Sequence, residues 1–213
     1  MTVRQRVDAR HQNIQSDILR MGGIASDMVR LASEAVLNGD VTLAKAVIDM
    51  DDLVDDLEKE TIQMTVLAVG MEAPVASDLR ILVSTLGVIG EIEKVADDAV
   101  KLARRATKLS GHFPSEMKLA LNQLGEEARK VFAAALRLYS EYDPELAQAI
   151  VDADEGIDSQ YSTARNRVFD LIRANPDDTE HLVRTIEAFH ALEHVADHSV
   201  EIATRLRIHF EEA

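Results

Sequence analysis

Eight carboxylates in this chain fall into four pairs, each pair four residues apart: Asp51/Asp55, Glu93/Asp97, Asp154/Asp158 and Glu193/Asp197. On an α-helix, residues at that spacing lie one turn apart with Cβ atoms about 5–6 Å from each other, so each pair aims two acids at one spot. Carboxylate oxygens are hard donors. A cluster made only of them favours Mg2+, Ca2+, Mn2+ or iron, and the spacing does not choose among these. Two of the pairs close near-identical pentapeptides, Glu93-Lys-Val-Ala-Asp97 and Glu193-His-Val-Ala-Asp197.

An acidic chain produces such spacings readily. Here 38 Asp plus Glu stand against 23 Lys plus Arg, a formal net charge of −15. Taken singly, each pair reads as a solvated helix face, and Asp55 and Asp97 have Lys59 and Lys101 four positions on as salt-bridge partners of small energetic worth. Recurrence at matching positions in both halves favours a site instead. The second copy is the cleaner one, because its four acids have no basic residue four positions away.

Helical phasing at 100° per residue gives each acid a direction. In the segment after Pro74, one apolar face contains Ile81, Val88, Ile92, Val95, Ala99 and Leu102. A second contains Leu79, Leu82, Val83, Leu86 and Val100, and Glu93 and Asp97 project from it. In the preceding segment, Ala46, Met50, Leu53, Leu57 and Met64 form one face; Val47, Ile48, Ile62 and Val66 form another, interrupted by Asp51, Asp55 and Glu58. Two antiparallel neighbours could therefore present four carboxylates to one another, with Glu58 as a further candidate. Charges at an apolar seam call for compensation, most simply a cation. His190 shares the face of Glu193 and Asp197 where the first copy has Gly90, and an imidazole there would shift the second site towards iron, manganese or zinc. His194 and His198 turn off that face and read as surface residues.

The elements that position these acids are helices. Four prolines and nine glycines fall mostly at punctuation: Asn38-Gly39-Asp40, Gly70 to Pro74, Gly111 to Pro114, Asp143-Pro144 and Asn175-Pro176-Asp177-Asp178. Between them run six long helical patterns with short connections and no convincing strand, as in an antiparallel bundle. With a shift of 103, Met21–Glu58 overlays Leu124–Tyr161 without a gap; with a shift of 100, Glu93–Arg105 overlays Glu193–Arg205. The expected fold is all-α, two tandem three-helix bundles related by an internal repeat, residues 1–110 and 111–213. The charge disfavours nucleic acid. Absent cysteine excludes thiolate metal sites and suits a reducing cytoplasm. The opening residues carry no apolar core of a secretory signal, and no apolar run reaches the ~18 residues a membrane span needs. Walker, nucleophile-elbow, HExxH and dinucleotide motifs are missing, so no enzyme class finds support.

Two three-helix repeats bearing acidic E/D-xxx-D signatures resemble the PhoU family of phosphate-signalling regulators. Asp51-Asp-Leu-Val-Asp55 and Asp154-Glu-Gly-Ile-Asp158 are similar to its signature on the second helix of each bundle. The two pentapeptides are similar to that on the third, and Ala73 to Arg80 resembles the stretch opening the third helix. Lys94 and His194 depart from the family's usual arginine, and Lys101 and Glu201 from its frequent asparagine. The resemblance implies a cytoplasmic, non-enzymatic adaptor that represses phosphate uptake and phosphate-starvation signalling. It implies partners in the ATPase subunit of a phosphate ABC transporter and a sensor histidine kinase, membrane contact only through them, a homodimer, and metal ions (iron, Mn, Mg, Zn or Ca) on the carboxylates. A ferritin-like di-metal oxidase or metal-storage bundle is the alternative. It would need Glu-x-x-His on two helices, and only Glu187-Ala-Phe-His190 has that spacing.

Overall fold

The computed structural model describes the backbone of residues 3–72 and 76–211 and the side chains of residues 10–70 and 79–210. Six α-helices follow one another: α1 (Val3–Asn38), α2 (Val41–Glu72), α3 (Ala76–Leu109), α4 (Lys118–Ser140), α5 (Pro144–Ala174) and α6 (Thr179–Glu211). Short 3-10 turns at Ser115–Met117 and Pro176–Asp178 precede α4 and α6. The described residues contain no strand. Of the turn expected at Gly70 to Pro74, residues 70–72 are the end of α2; residues 73–75 and the side chain of Asp78 lie outside the described residues.

Local chemistry explains the punctuation. The Asp40 carboxylate accepts the Leu43 N–H at 2.9 Å and so caps α2. Asp143 caps α5 by accepting from the amides of Glu145 and Leu146, with Pro144 preset for the first helical position. Gly39 and Gly111 hold φ of +66° and +86°, the left-handed region that glycine enters without penalty. Their connections also touch: a Cβ on Gly39 would lie 2.7 Å from the Gly111 Cα.

Helices α1–α3 pack as one triangle and α4–α6 as another. The triangles join through α3 against α6, the most extensive helix contact, and α1 against α4, leaving α2 and α5 on the outer flanks. The buried apolar side chains form one continuous cluster through both halves, from Ile18, Met21 and Ile89 to Phe132, Phe189 and Leu192. Neither triangle closes its core by itself.

The two-faced phasing of α2 needs correction. Leu53 is 54% exposed and Val66 55%, and Ala46 is also exposed. The buried stripe runs through Val47, Val54, Leu57, Thr61, Thr65 and Ala68. Two threonines hid it. Their hydroxyls donate to the carbonyls of Leu57 (2.6 Å) and Thr61 (2.8 Å), so they enter the core without orphaned polar atoms. In α3 the first face is buried except Ile81, whereas Leu79 and Val83 of the second are exposed.

Candidate metal centres

The seam between α5 and α6 gathers the second-repeat acids. Ligand atoms of Asp154, Asp158 and Asp197 all lie within 4.8 Å of one another. Glu193, one turn before Asp197, belongs instead to a neighbouring group with His190 and His194 at the same mutual distance. Asp154 Oδ1 and Glu193 Oε2 are buried atoms with no hydrogen-bond partner. Leaving such atoms unmatched is costly, and a cation is one partner that would match two neighbouring carboxylates at once.

The electrostatics agree with the geometry. Burial, followed by the charges of Asp197, Asp158 and Asp154, pushes the Glu193 carboxyl up to about 7. Burial and then Asp158 and Asp197 raise Asp154. Asp197 is raised by burial although His194 opposes it. In Glu193, Asp154 and Asp197 burial and a neighbouring acid make the charged form costlier than it is in water, and a metal ion would offset that cost. Oxygen donors in this number suit a hard or borderline divalent cation.

The first repeat places Asp51, Asp55, Glu58, Glu93 and Asp97 along the equivalent α2–α3 seam but more loosely. Burial, Asp97 and Asp55 raise Asp51; burial, Asp97 and Glu58 raise Glu93; burial and Asp55 raise Glu58. These acids therefore feel one another. Among the described residues, however, the two groups that bring three ligand atoms within 4.8 Å are both in the second repeat. Lys59 holds Asp55 at 3.2 Å, as its spacing allowed. Lys101 does not pair with Asp97; it bonds Asp98 at 2.7 Å.

The histidines differ most from expectation. His190 lies 3.7 Å from Glu193 through its Nε2, as its phase suggested. His194 is no bystander: its Nε2 is 4.0 Å from Glu193 Oε2 and its Nδ1 is 3.7 Å from Asp98 Oδ2. His198 is set into the α3–α6 contact, with Nδ1 3.0 Å from Glu91 Oε2 and Nε2 3.3 Å from Asp98 Oδ2. Glu91 and Asp98 are 3% and 1% exposed, and Arg205 also reaches Glu91 at 3.3 Å. Burial works against the charge on His198, but its contacts with Asp98 and Glu91 prevail and raise it. Burial likewise works against the charge on Asp98, yet contact with His198 and Lys101 lowers it. A signal for this network existed in the sequence. Glu91 and Asp98 fall on the stripe Val88, Glu91, Val95, Asp98, Leu102, whose other members are core, and an acid in such a stripe demands a partner. Glu187 pairs with Arg105 at 3.1 Å across to α3 and joins neither ligand group, so the Glu187/His190 pair does not form a ferritin-like half-site.

The chain is thus an all-α protein of two joined three-helix repeats whose acids line the seams between the second and third helix of each. The PhoU domain family model matches it twice, over residues 18–106 and 121–206. The chain belongs to the PhoU family. The phosphate-specific transport system accessory protein PhoU homolog of Pseudomonas aeruginosa is 28% identical over 203 residues, covering 94% of this chain and 84% of that one. The homolog of the same description from Clostridium acetobutylicum is 24% identical over 192 residues, covering 90% and 88%. The crystal structure of PhoU from Pseudomonas aeruginosa superposes with a TM-score of 0.91 at 26% identity, covering 97% of this chain and 99% of that one. The phosphate transport system regulatory protein PhoU from Streptococcus pneumoniae shares the fold, with a TM-score of 0.90 at 19% identity over 97% and 98%. No helix among the described residues is long and apolar enough to cross a membrane.

Proposed function

We propose that this protein is an accessory regulator of phosphate-specific transport that restrains phosphate uptake and starvation signalling when phosphate is ample. The observation that carries this is the double match to the PhoU domain, one match in each repeat. Relatives aligned over about nine-tenths of the chain are phosphate-specific transport system accessory proteins, which agrees with it. In this reading the protein is a non-enzymatic, cytoplasmic adaptor between the ATPase subunit of a phosphate ABC transporter and a sensor histidine kinase, and it works as a homodimer. Its two functional repeats are residues 1–110 and 111–213.

The carboxylate seams are metal sites in the same reading. Asp154, Asp158, Glu193 and Asp197, with His190, serve the second repeat; Asp51, Asp55, Glu93 and Asp97, with Glu58, serve the first. The orphaned oxygens of Asp154 and Glu193 support the second-repeat site. A bound cation would neutralise the seam and fix α5 against α6, giving partners a rigid surface. The test is phosphate uptake in phosphate-replete cells carrying Glu193→Gln with Asp197→Asn. Derepressed uptake together with lower metal content of the purified protein is expected. Normal repression with unchanged metal content would remove the metal half of the proposal.

A further inference from the structure

Away from the acidic seams, a half-open cavity of about 200 Å3 lies where the two repeats meet. Each repeat lines it from two helices: His11 and Ile14 of α1, Leu82 and Thr85 of α3, Tyr139 of α4 and Leu206 of α6. We infer that this cavity is a binding site for a small uncharged amphipathic molecule, one or two aromatic rings bearing a hydroxyl or N–H group. This ligand is separate from the metal sites and from the reading of the chain as a phosphate-transport regulator.

Size and lining set the class. Ile14, Leu82 and Leu206 are buried and make much of the wall apolar. Phe210 adds an aromatic side, its ring stacked on Tyr142 at 4.4 Å and met edge-on by His209 at 4.8 Å. An apolar cavity of about 150 Å3 holds benzene, so this one has room for a second ring. It is too small for a nucleotide, since pockets for drug-sized ligands run to about 300–1,000 Å3. Among the described residues no Asp, Glu, Lys or Arg lines it, so an ionic group buried there would lack the partner it needs. Burial, and then the nearby Arg80, holds the His209 imidazole below its usual range, which keeps that ring uncharged at neutral pH.

Unmatched hydrogen-bonding groups separate this cavity from a simple packing gap. His11 Nε2 is a buried atom with no hydrogen-bond partner. Thr85, 2% exposed, and Tyr139 bring their hydroxyl oxygens within 3.3 Å of each other. The pair carries two protons and shares one hydrogen bond, so one proton is left for another acceptor. Thr61 and Thr65 are as deeply buried but donate to carbonyls of their own helix. Burial raises the Tyr139 phenol although Thr85 opposes it, so its hydroxyl stays protonated. Leaving buried polar groups unmatched is costly. A ligand hydroxyl both donates and accepts, so it can satisfy the imidazole in either tautomer or take up the remaining hydroxyl proton, while its rings cover the apolar wall. An occupant touches both repeats and so stabilises their joined arrangement.

The experiment titrates the full chain at neutral pH with β-naphthol as the probe, read by its fluorescence and by amide NMR shifts. Naphthalene, which lacks the hydroxyl, and β-naphthoate, which carries a charge in its place, are the comparisons. One β-naphthol per chain should bind with a Kd below about 1 mM. The amide shifts should concentrate at residues 11–15, 81–85, 139 and 206–210. Naphthalene should bind about 3–10-fold more weakly, and β-naphthoate more weakly by at least about 10-fold. Ser84→Leu puts a larger side chain on the cavity wall at a half-buried helix position and should abolish binding. His11→Leu with Tyr139→Phe should still bind the rings but lose the preference for β-naphthol over naphthalene. Far-ultraviolet circular dichroism verifies the helices of each variant, and the shift map of the wild type decides the site even where a variant fails to fold. No saturable β-naphthol binding up to about 1 mM, or shifts centred elsewhere, overturns the inference. So does β-naphthoate binding as tightly as β-naphthol, or a hydroxyl preference that survives the double change.

Discussion

Replacing Glu193 with Gln should stabilise the metal-free protein at alkaline pH and do little near pH 5. In the folded chain the carboxyl titrates at about 7 rather than near 4.5, chiefly through burial. A folded-state pKa above the unfolded value means that the native state binds the proton more tightly. Stability from this group is therefore full below about pH 4.5 and is lost as pH rises through about 7. At ~1.4 kcal/mol per pH unit the shift corresponds to about 3 kcal/mol, and solvent access to this seam reduces that to about 1–2 kcal/mol. Glutamine has nearly the same shape and no charge to desolvate. The variant should melt about 3–6 °C higher than wild type at about pH 8 in excess chelator, for a chain of this size, and within about 1 °C of it near pH 5. Comparing the two chains at each pH cancels the general repulsion of a surface with net charge −15. Saturating metal should reverse the order at pH 8, because only wild type keeps the ligand. Equal melting temperatures at both pH values would show that Glu193 is not held in an unfavourable charged state, and the electrostatic basis for a cation there would fall.

Other consequences follow from the fold. Phe189→Ala empties a fully buried site in the shared core and should cost about 3–5 kcal/mol in urea unfolding; a loss under about 1 kcal/mol would mean that the core is looser than described. His198→Ala removes a partner from Glu91 and Asp98, both nearly fully buried, and leaves them with Lys94, Arg205 and Lys101, so it should cost about 2–3 kcal/mol. Because contacts with those acids raise His198, the cost should be largest at about pH 6 and shrink as the imidazole of the wild type deprotonates at higher pH. A pH-independent loss would contradict the charged pairing. Gly39→Ala puts a methyl 2.7 Å from the Gly111 backbone at φ +66°, and a loss of about 2 kcal/mol or more is expected from clash and left-handed strain. Unchanged stability would mean that the two connections do not meet.

The helices, their order and most of their ends were legible because glycine, proline and capping acids act through local backbone chemistry. Asp40 and Asp143 cap the helices that their positions announce. The acid pairs were legible for the same reason, since i, i+4 spacing dictates neighbourhood within one helix. What periodicity could not reveal is what packs opposite. The buried face of α2 was obscured because Thr61 and Thr65 hide their hydroxyls on the helix's own carbonyls. His198 was read as surface because its partners, Glu91 and Asp98, are on another helix a hundred residues away. His194 was set aside for a similar reason, as Asp98 reaches it from α3. For the same reason periodicity did not reveal that α3 of one repeat packs on α6 of the other in one continuous core.

In the proposed reading the acids of the second repeat hold metal in the working protein. Its most direct test is elemental analysis of the chain purified from phosphate-replete cells without added metal or chelator, beside the Asp154→Asn, Asp197→Asn double variant. A stoichiometric divalent or trivalent metal is expected in wild type, with a clear deficit in the variant. Wild-type protein free of metal, or equal metal in both, would contradict it.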